Sequence, residues 1–174
     1  MTAVVVDGPA GKEYRLPTTL EGETANVEQL KINRLFSKIA FGVPDEPIPF
    51  GASRVGGGSP FTTPLYGMDR WAKLFTTRQL FAGGVICLGT QQAGQKLVTS
   101  GYSADWAAGV VAYLALALDR FLDYNSTVCN WDPRGEYVTH TFQRFALPIK
   151  WDFSEITAIS QATGGYLGAL DWIA

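Results

Sequence analysis

The sequence predicts a mainly α protein: a helical bundle around a central apolar helix at about residues 103–125, with minor N-terminal β strands and a long Gly/Pro-rich loop. Three observations carry that expectation. Trp106, Val110, Tyr113, Ala117, Phe121 and Tyr124 step by three or four residues, the repeat of one helix face, and Val111, Leu114 and Leu118 widen the stripe. Thr76 and Ser103, residues able to cap a helix start, stand just before apolar stretches. Between residues 41 and 67, Pro44, Pro47, Pro49, Pro60 and Pro64 alternate with glycines, which rules out a regular helix and disfavours a central strand.

Taken in order, AVVV and KEYRLP flank a DGPAG turn and read as two short strands, paired as a hairpin or with something else. Val27, Leu30, Leu35 and Ile39 recur at helical spacing, so one amphipathic helix is expected from about 23 to 40. The irregular loop 41–67 follows. GMDRWAKLF reads as a short helix, and TTRQL opens another with a capping box, Thr76 as N-cap and Gln79 three residues on. That helix is expected to run to about Val98, yet it contains Gly83, Gly84, Gly89 and Gly94, each costing roughly 1 kcal/mol against alanine. Either a neighbour packs very closely there or the helix is broken. The central helix starts at Ser103, with Asp105 favourable in its first turn, and its apolar circumference predicts a place in the middle of the bundle. Pro133 in the NWDP tetrapeptide is expected to stop it. A further short helix is expected over 136–145, WDFSEI as extended or looped chain, and GGYLGALDWIA as a last helix.

The 174 residues, 47% of them hydrophobic, suit a single domain or a domain fragment spanning 1–174. A net charge of −2 and a pI near 5.4 exclude a generally basic chain held on nucleic acid by bulk electrostatics, so any such contact must be local. Cys87 and Cys129 stand far apart with no CxxC spacing, and one histidine, His140, cannot complete a familiar zinc site; reduced thiols and no metal are expected. The start, MTAVVVDGPAGKEYRLP, lacks the basic head and long apolar core of a signal peptide, and the apolar run between Asp105 and Asp119 is shorter than the ~20 residues of a membrane helix. A cytoplasmic location without a membrane partner is the expectation.

Several local patterns invite a chemical reading. VGGGSP lacks the Lys-Ser/Thr of a phosphate loop, and FAGG at 81–84 resembles a methyl-donor glycine motif but follows a helix start where a strand is needed. His140 has no nucleophile elbow to serve. Asp119 and Asp123 share a helix face on which paired acids can hold a metal, with Arg120 and solvent as the plainer compensation. WDFSEI, just after Arg144 and Lys150, gathers Trp151, Asp152 and Glu155, a mixture suited to stacking on bases and contacting phosphates, or to a capped, salt-bridged loop.

GKEYRLP, VPDEPIP, YGMDRWAKLFTTRQL, YLALALDRFLDYNSTVCNWDP, HTFQRFALPIKWDF and the following Glu155 together resemble, in that order, the middle portion of the large adenine-specific DNA methylases that carry an N-terminal domain of unknown function. The resemblance spans nearly the whole chain. It departs after Glu155, where Ile156-Thr157-Ala158 stands in place of the family's Asn-Pro-Phe, and FAGGVICLG is poorer in leucine than the family's helix. It implies that the Phe-x-Gly-x-Gly donor motif lies upstream and the catalytic Asp-Pro-Pro-Tyr downstream, so this chain holds no catalytic and no cofactor-binding residue. S-adenosylmethionine is then implied only for the complete enzyme, and the partner is the remainder of the methylase, on the same chain or as a separate subunit. DNA contact is expected through Arg78, Arg134, Arg144, Lys150 and Trp151. A free-standing helical module that binds a separate methylase is the other reading.

Overall fold

The structure, a computed structural model, describes residues 2–49, 61–143 and 146–173. It is mainly helical with two small antiparallel sheets. Strands β1 (Val4–Gly8) and β2 (Gly11–Arg15) pair with each other, Val4 opposite Arg15 and Gly8 opposite Gly11, so the N-terminal strands form a hairpin. Gly11 takes a φ of +123°, a conformation that side chains rarely adopt, and closes the turn.

Where one helix was expected over 23–40 there are two, α1 (Thr19–Thr24) and α2 (Gln29–Phe36). The cause is local. Thr18 and Glu21 form a capping box that starts a helix earlier, and the Ala25 N–H folds back onto the carbonyls of Glu21 and Glu23 and ends it. α1 buries nothing, whereas α2 and the turn after it bury Ile32, Phe36 and Ile39, and Leu30 points out to solvent. Arg15 reaches from β2 to Glu21 with two hydrogen bonds of 2.8 and 2.6 Å, tying hairpin to helix.

The described ends of the 41–67 loop carry no regular helix or strand beyond a 3-10 turn at Thr63–Tyr66, and they supply core residues. Ile48 joins Leu74, Val128 and Leu147, with Phe61, Met68, Trp71 and Phe75 around them. The short helix expected at GMDRWAKLF is a single 3-10 turn, Trp71–Leu74, which drops Leu74 into that cluster. A second cluster, Ile32, Phe36 and Ile39, packs against Leu80, Phe81 and Leu88.

α3 (Thr77–Thr99) is unbroken, and the Thr76–Gln79 capping box is present in both directions. Gly83, Gly84 and Gly94 answer the sequence's question in favour of close packing, whereas Gly89 faces open space. A Cβ on Gly84 would come within 2.8 Å of Leu35 and 3.0 Å of Phe36 on α2, and one on Gly94 within 2.6 Å of Val111 on the next helix.

That helix, α4 (Ala104–Asp123), starts at Ser103, whose hydroxyl accepts the Trp106 N–H. It packs on both α3 and α5 (Tyr166–Ile173), with the Arg120 guanidinium over the Trp172 ring at 4.9 Å. It is not enclosed, however: Trp106, Tyr113 and Leu116 remain 61%, 60% and 55% exposed. An apolar circumference fixes only that a helix can be buried all round; two neighbours cover only part of this one.

Two expectations around Pro133 are corrected. α4 ends at Asp123, well before NWDP, and Trp131–Asp132 is strand β3, paired with β4 (Tyr137–Val138) where a helix over 136–145 was expected. Asp132 accepts the backbone N–H groups of Arg134 and Gly135, and Glu136 adopts a φ of +53°. The segment Pro133–Glu136 is thereby a hairpin turn, and the β-branched Val138, Thr139 and Thr141 after it favour extended chain. WDFSEI is irregular. Among the described residues no helix is long and apolar enough to cross a membrane.

Candidate nucleic-acid interface

The last turn of α4 and the chain after β4 are joined by a polar knot. One oxygen of Asp123 meets His140 Nδ1 at 2.6 Å and the other accepts the Phe142 N–H at 3.0 Å. The Asp123 carbonyl takes both the backbone N–H (2.6 Å) and the hydroxyl (2.8 Å) of Thr141. Ser126, fully buried, sits 2.8 Å from the same Thr141 hydroxyl, and Asn125 exchanges two hydrogen bonds with the backbone of Ile156. Buried polar groups are tolerated when they are satisfied in this way, and they fix one arrangement of the chain.

Within the knot, the partners assign the imidazole. Nδ1 faces a carboxylate and therefore donates; Nε2 then accepts from the Tyr124 hydroxyl at 2.9 Å. Burial pushes the Tyr124 phenol up from its ordinary range, which keeps it the protonated donor. Both ring nitrogens are thus engaged internally, leaving His140 no nitrogen with which to activate a serine or a water.

Beside this knot the chain from Ala146 runs extended, and every second residue, Ala146, Pro148 and Lys150, lines a pocket of about 310 Å³ with His140, Thr141 and Gln143. Gln143 also lines a second pocket of about 300 Å³, formed with Asn130, Trp131, Asp132, Arg134 and Thr139 of the β3–β4 hairpin. Lys150 and Arg134 therefore stand in the walls of two adjacent concavities. Among the described residues neither makes an ion pair. Trp131 Nε1, in the second wall, is buried without a hydrogen-bond partner among them, a donor lacking an acceptor.

The other residues singled out by sequence go elsewhere. Arg78 lines neither pocket; it is ion-paired with Glu155, each side chain about a quarter exposed, so its charge is already matched. Trp151 is 84% exposed and meets Tyr66 edge to face, ring centroids 5.9 Å apart. Arg144 lies outside the described residues, as does VGGGSP. Asp119 is exposed, Asp123 is committed to His140, and no group of three potential metal ligands occurs among the described residues. Gln143, Asn130 and Trp131 were not singled out by sequence; neutral side chains carry no signal until a hairpin gathers them.

FAGG lies inside α3, where a Cβ on Gly83 would meet Leu122 at 2.9 Å and one on Gly84 would meet Leu35 and Phe36. Those glycines serve helix packing, and the site does not fit a methyl donor. Comparisons of the chain with known protein families, with curated proteins and with solved structures find no match.

Proposed function

We propose that this chain is a segment of an S-adenosylmethionine-dependent DNA adenine-N6 methyltransferase, cytoplasmic and lying between the donor-binding and catalytic motifs. It acts as helical scaffold or target-recognition region and is catalytically incomplete alone. In the complete enzyme the target adenine is flipped out of the duplex, and its amino group takes the methyl at an Asp-Pro-Pro-Tyr motif. The prolines of this chain never occur as a pair, so it supplies no such motif.

The observation that carries the reading beyond the resemblance is open apolar surface. The chain exposes 11195 Å², against roughly 8,300 Å² for a compact monomer of its mass by the usual scaling. The excess is larger than the undescribed positions would contribute were every one fully open. Exposed large apolar residues stand in many places, among them the N-terminal hairpin and the chain after it (Val5, Tyr14, Leu16, Leu20), α4 (Trp106, Tyr113, Leu116) and α5 (Leu167, Trp172). Surface of that kind in several places marks contact with further protein. It favours a segment packed against the rest of a methylase over a self-contained binding module, which closes its own apolar faces.

Isothermal titration of this chain with S-adenosylmethionine tests the reading. No heat of binding is expected. Tight, stoichiometric binding would overturn it, because the glycines that would cradle the donor are packed against leucine and phenylalanine.

A further inference from the structure

The two concavities joined at Gln143 share a chemistry. The geometry points to a groove that binds the sugar-phosphate backbone of DNA, with Lys150 and Arg134 each on one phosphate and Gln143 between them. The identity of the polyanion rests on the methyltransferase reading; the preference for an anion rests on the groove itself.

Its walls are rich in donors whose needs the protein leaves unmet. Lys150 and Arg134 make no ion pair among the described residues. An ammonium and a guanidinium can only donate, so the complementary ligand is rich in acceptors. The one carboxylate in the walls, Asp132, has an oxygen occupied by the N–H groups of Arg134 and Gly135, which offsets its repulsion of an anion. Asp123, nearby, is turned to His140 and the Phe142 N–H.

The groove is also built rigidly. His140 and Thr141 in its first wall are fixed by the knot at the end of α4, and Thr139 and Asn130 in its second are joined by two hydrogen bonds, N–H to carbonyl at 2.7 Å and N–H to hydroxyl at 2.9 Å. Each of the two cavities carries one cation and they share Gln143, so an extended polyanion can engage both. Such contacts position a protein on DNA without reading its sequence.

Fluorescence anisotropy with a short labelled duplex, followed across salt concentrations, tests the proposal. For Lys150→Gln and for Arg134→Gln, affinity at low salt should fall about tenfold. The slope of log affinity against log salt should shrink by about one for each, equally for unrelated duplex sequences. Lys150→Arg should keep the wild-type slope, which guards against a merely misfolded Lys150→Gln, and Lys96→Gln, on the exposed end of α3, should change nothing.

Wild-type slopes in both Gln variants would overturn the groove while leaving the methyltransferase reading intact, since the donor titration tests that separately. Absence of duplex binding by the wild-type chain, with inorganic pyrophosphate bound in a Lys150-dependent way, would overturn the DNA assignment in favour of a small phosphorylated ligand. Binding of neither would overturn the site.

Discussion

The two ends of α4 differ in kind. Its C-terminal end buries Ala117 and Phe121 and passes directly into Tyr124, Asn125, Ser126 and Cys129, all nearly closed to solvent and almost all hydrogen-bonded. Its N-terminal half leaves Trp106 and Tyr113 more than half open, and Leu116, one turn further on, is open on the same side. Burial here follows the availability of a partner, not hydropathy. The polar end is closed because residues 139–142 and 154–156 are present to satisfy it; the apolar half is covered only in part by its neighbours.

Truncation at the closed end should have the largest effect. Phe121→Ala removes a ring that is 1% exposed and should cost about 3–5 kcal/mol, read from the midpoint of urea denaturation. A loss below about 1 kcal/mol would mean that this end is not the folding core. Asp123→Ala frees His140 and strands the Phe142 N–H, and a loss of about 2–3 kcal/mol is expected. Asp123→Asn, which keeps an acceptor, should lose less.

On the open side of α4 the effect should be much smaller. Replacing Trp106, Tyr113 and Leu116 by serine should change stability by less than about 0.5 kcal/mol each, because more than half of each side chain is already in water. Calorimetry would check this, and a loss as large as that of Phe121→Ala would erase the distinction between the two ends.

The smallest effect belongs to an exposed pair outside α4. Hydrogen bonds from Arg15, then from the backbone and hydroxyl of Thr18, pull Glu21 down to about 2 from its usual value near 4.5. A folded-state value below the unfolded one means stability that is present above the unfolded value and lost as pH falls through the folded one. Glu21→Gln should therefore flatten the pH dependence of unfolding between about 4.5 and 2 and leave the knot at the end of α4 untouched. An unchanged acid limb in that variant would show that the pair forms equally in the unfolded chain.

The same contrast explains what sequence alone could reach. The starts of α3 and α4 were readable because Thr76 with Gln79, and Ser103, are local devices acting within one helical turn. The closed end was not. Its hairpin depends on Asp132 accepting two backbone amides and on Glu136 in a left-handed conformation, which a helix-oriented reading of Pro133 to Phe145 passes over. Lys150 and Arg134 were recognisable as cations, but only the β3–β4 hairpin, for Arg134, and the chain from Ala146, for Lys150, bring them to pockets that share Gln143. Arg78 looked equally free; its partner, Glu155, is 77 positions away in sequence. The open face of α4 was hidden for the opposite reason, since an apolar residue reads alike whether its partner is in this chain or beyond it.

Methyl transfer tests the central claim most directly. The polypeptide bearing the Phe-x-Gly-x-Gly and Asp-Pro-Pro-Tyr motifs would be assayed for transfer of label from S-adenosylmethionine to adenine in duplex DNA, alone, with this chain, and with its Trp106→Ser, Tyr113→Ser, Leu116→Ser triple variant. The expected result is transfer only when the wild-type chain is present, with at least a tenfold loss, roughly 1.4 kcal/mol of coupling, for the triple variant. Equal transfer with and without this chain would contradict the account.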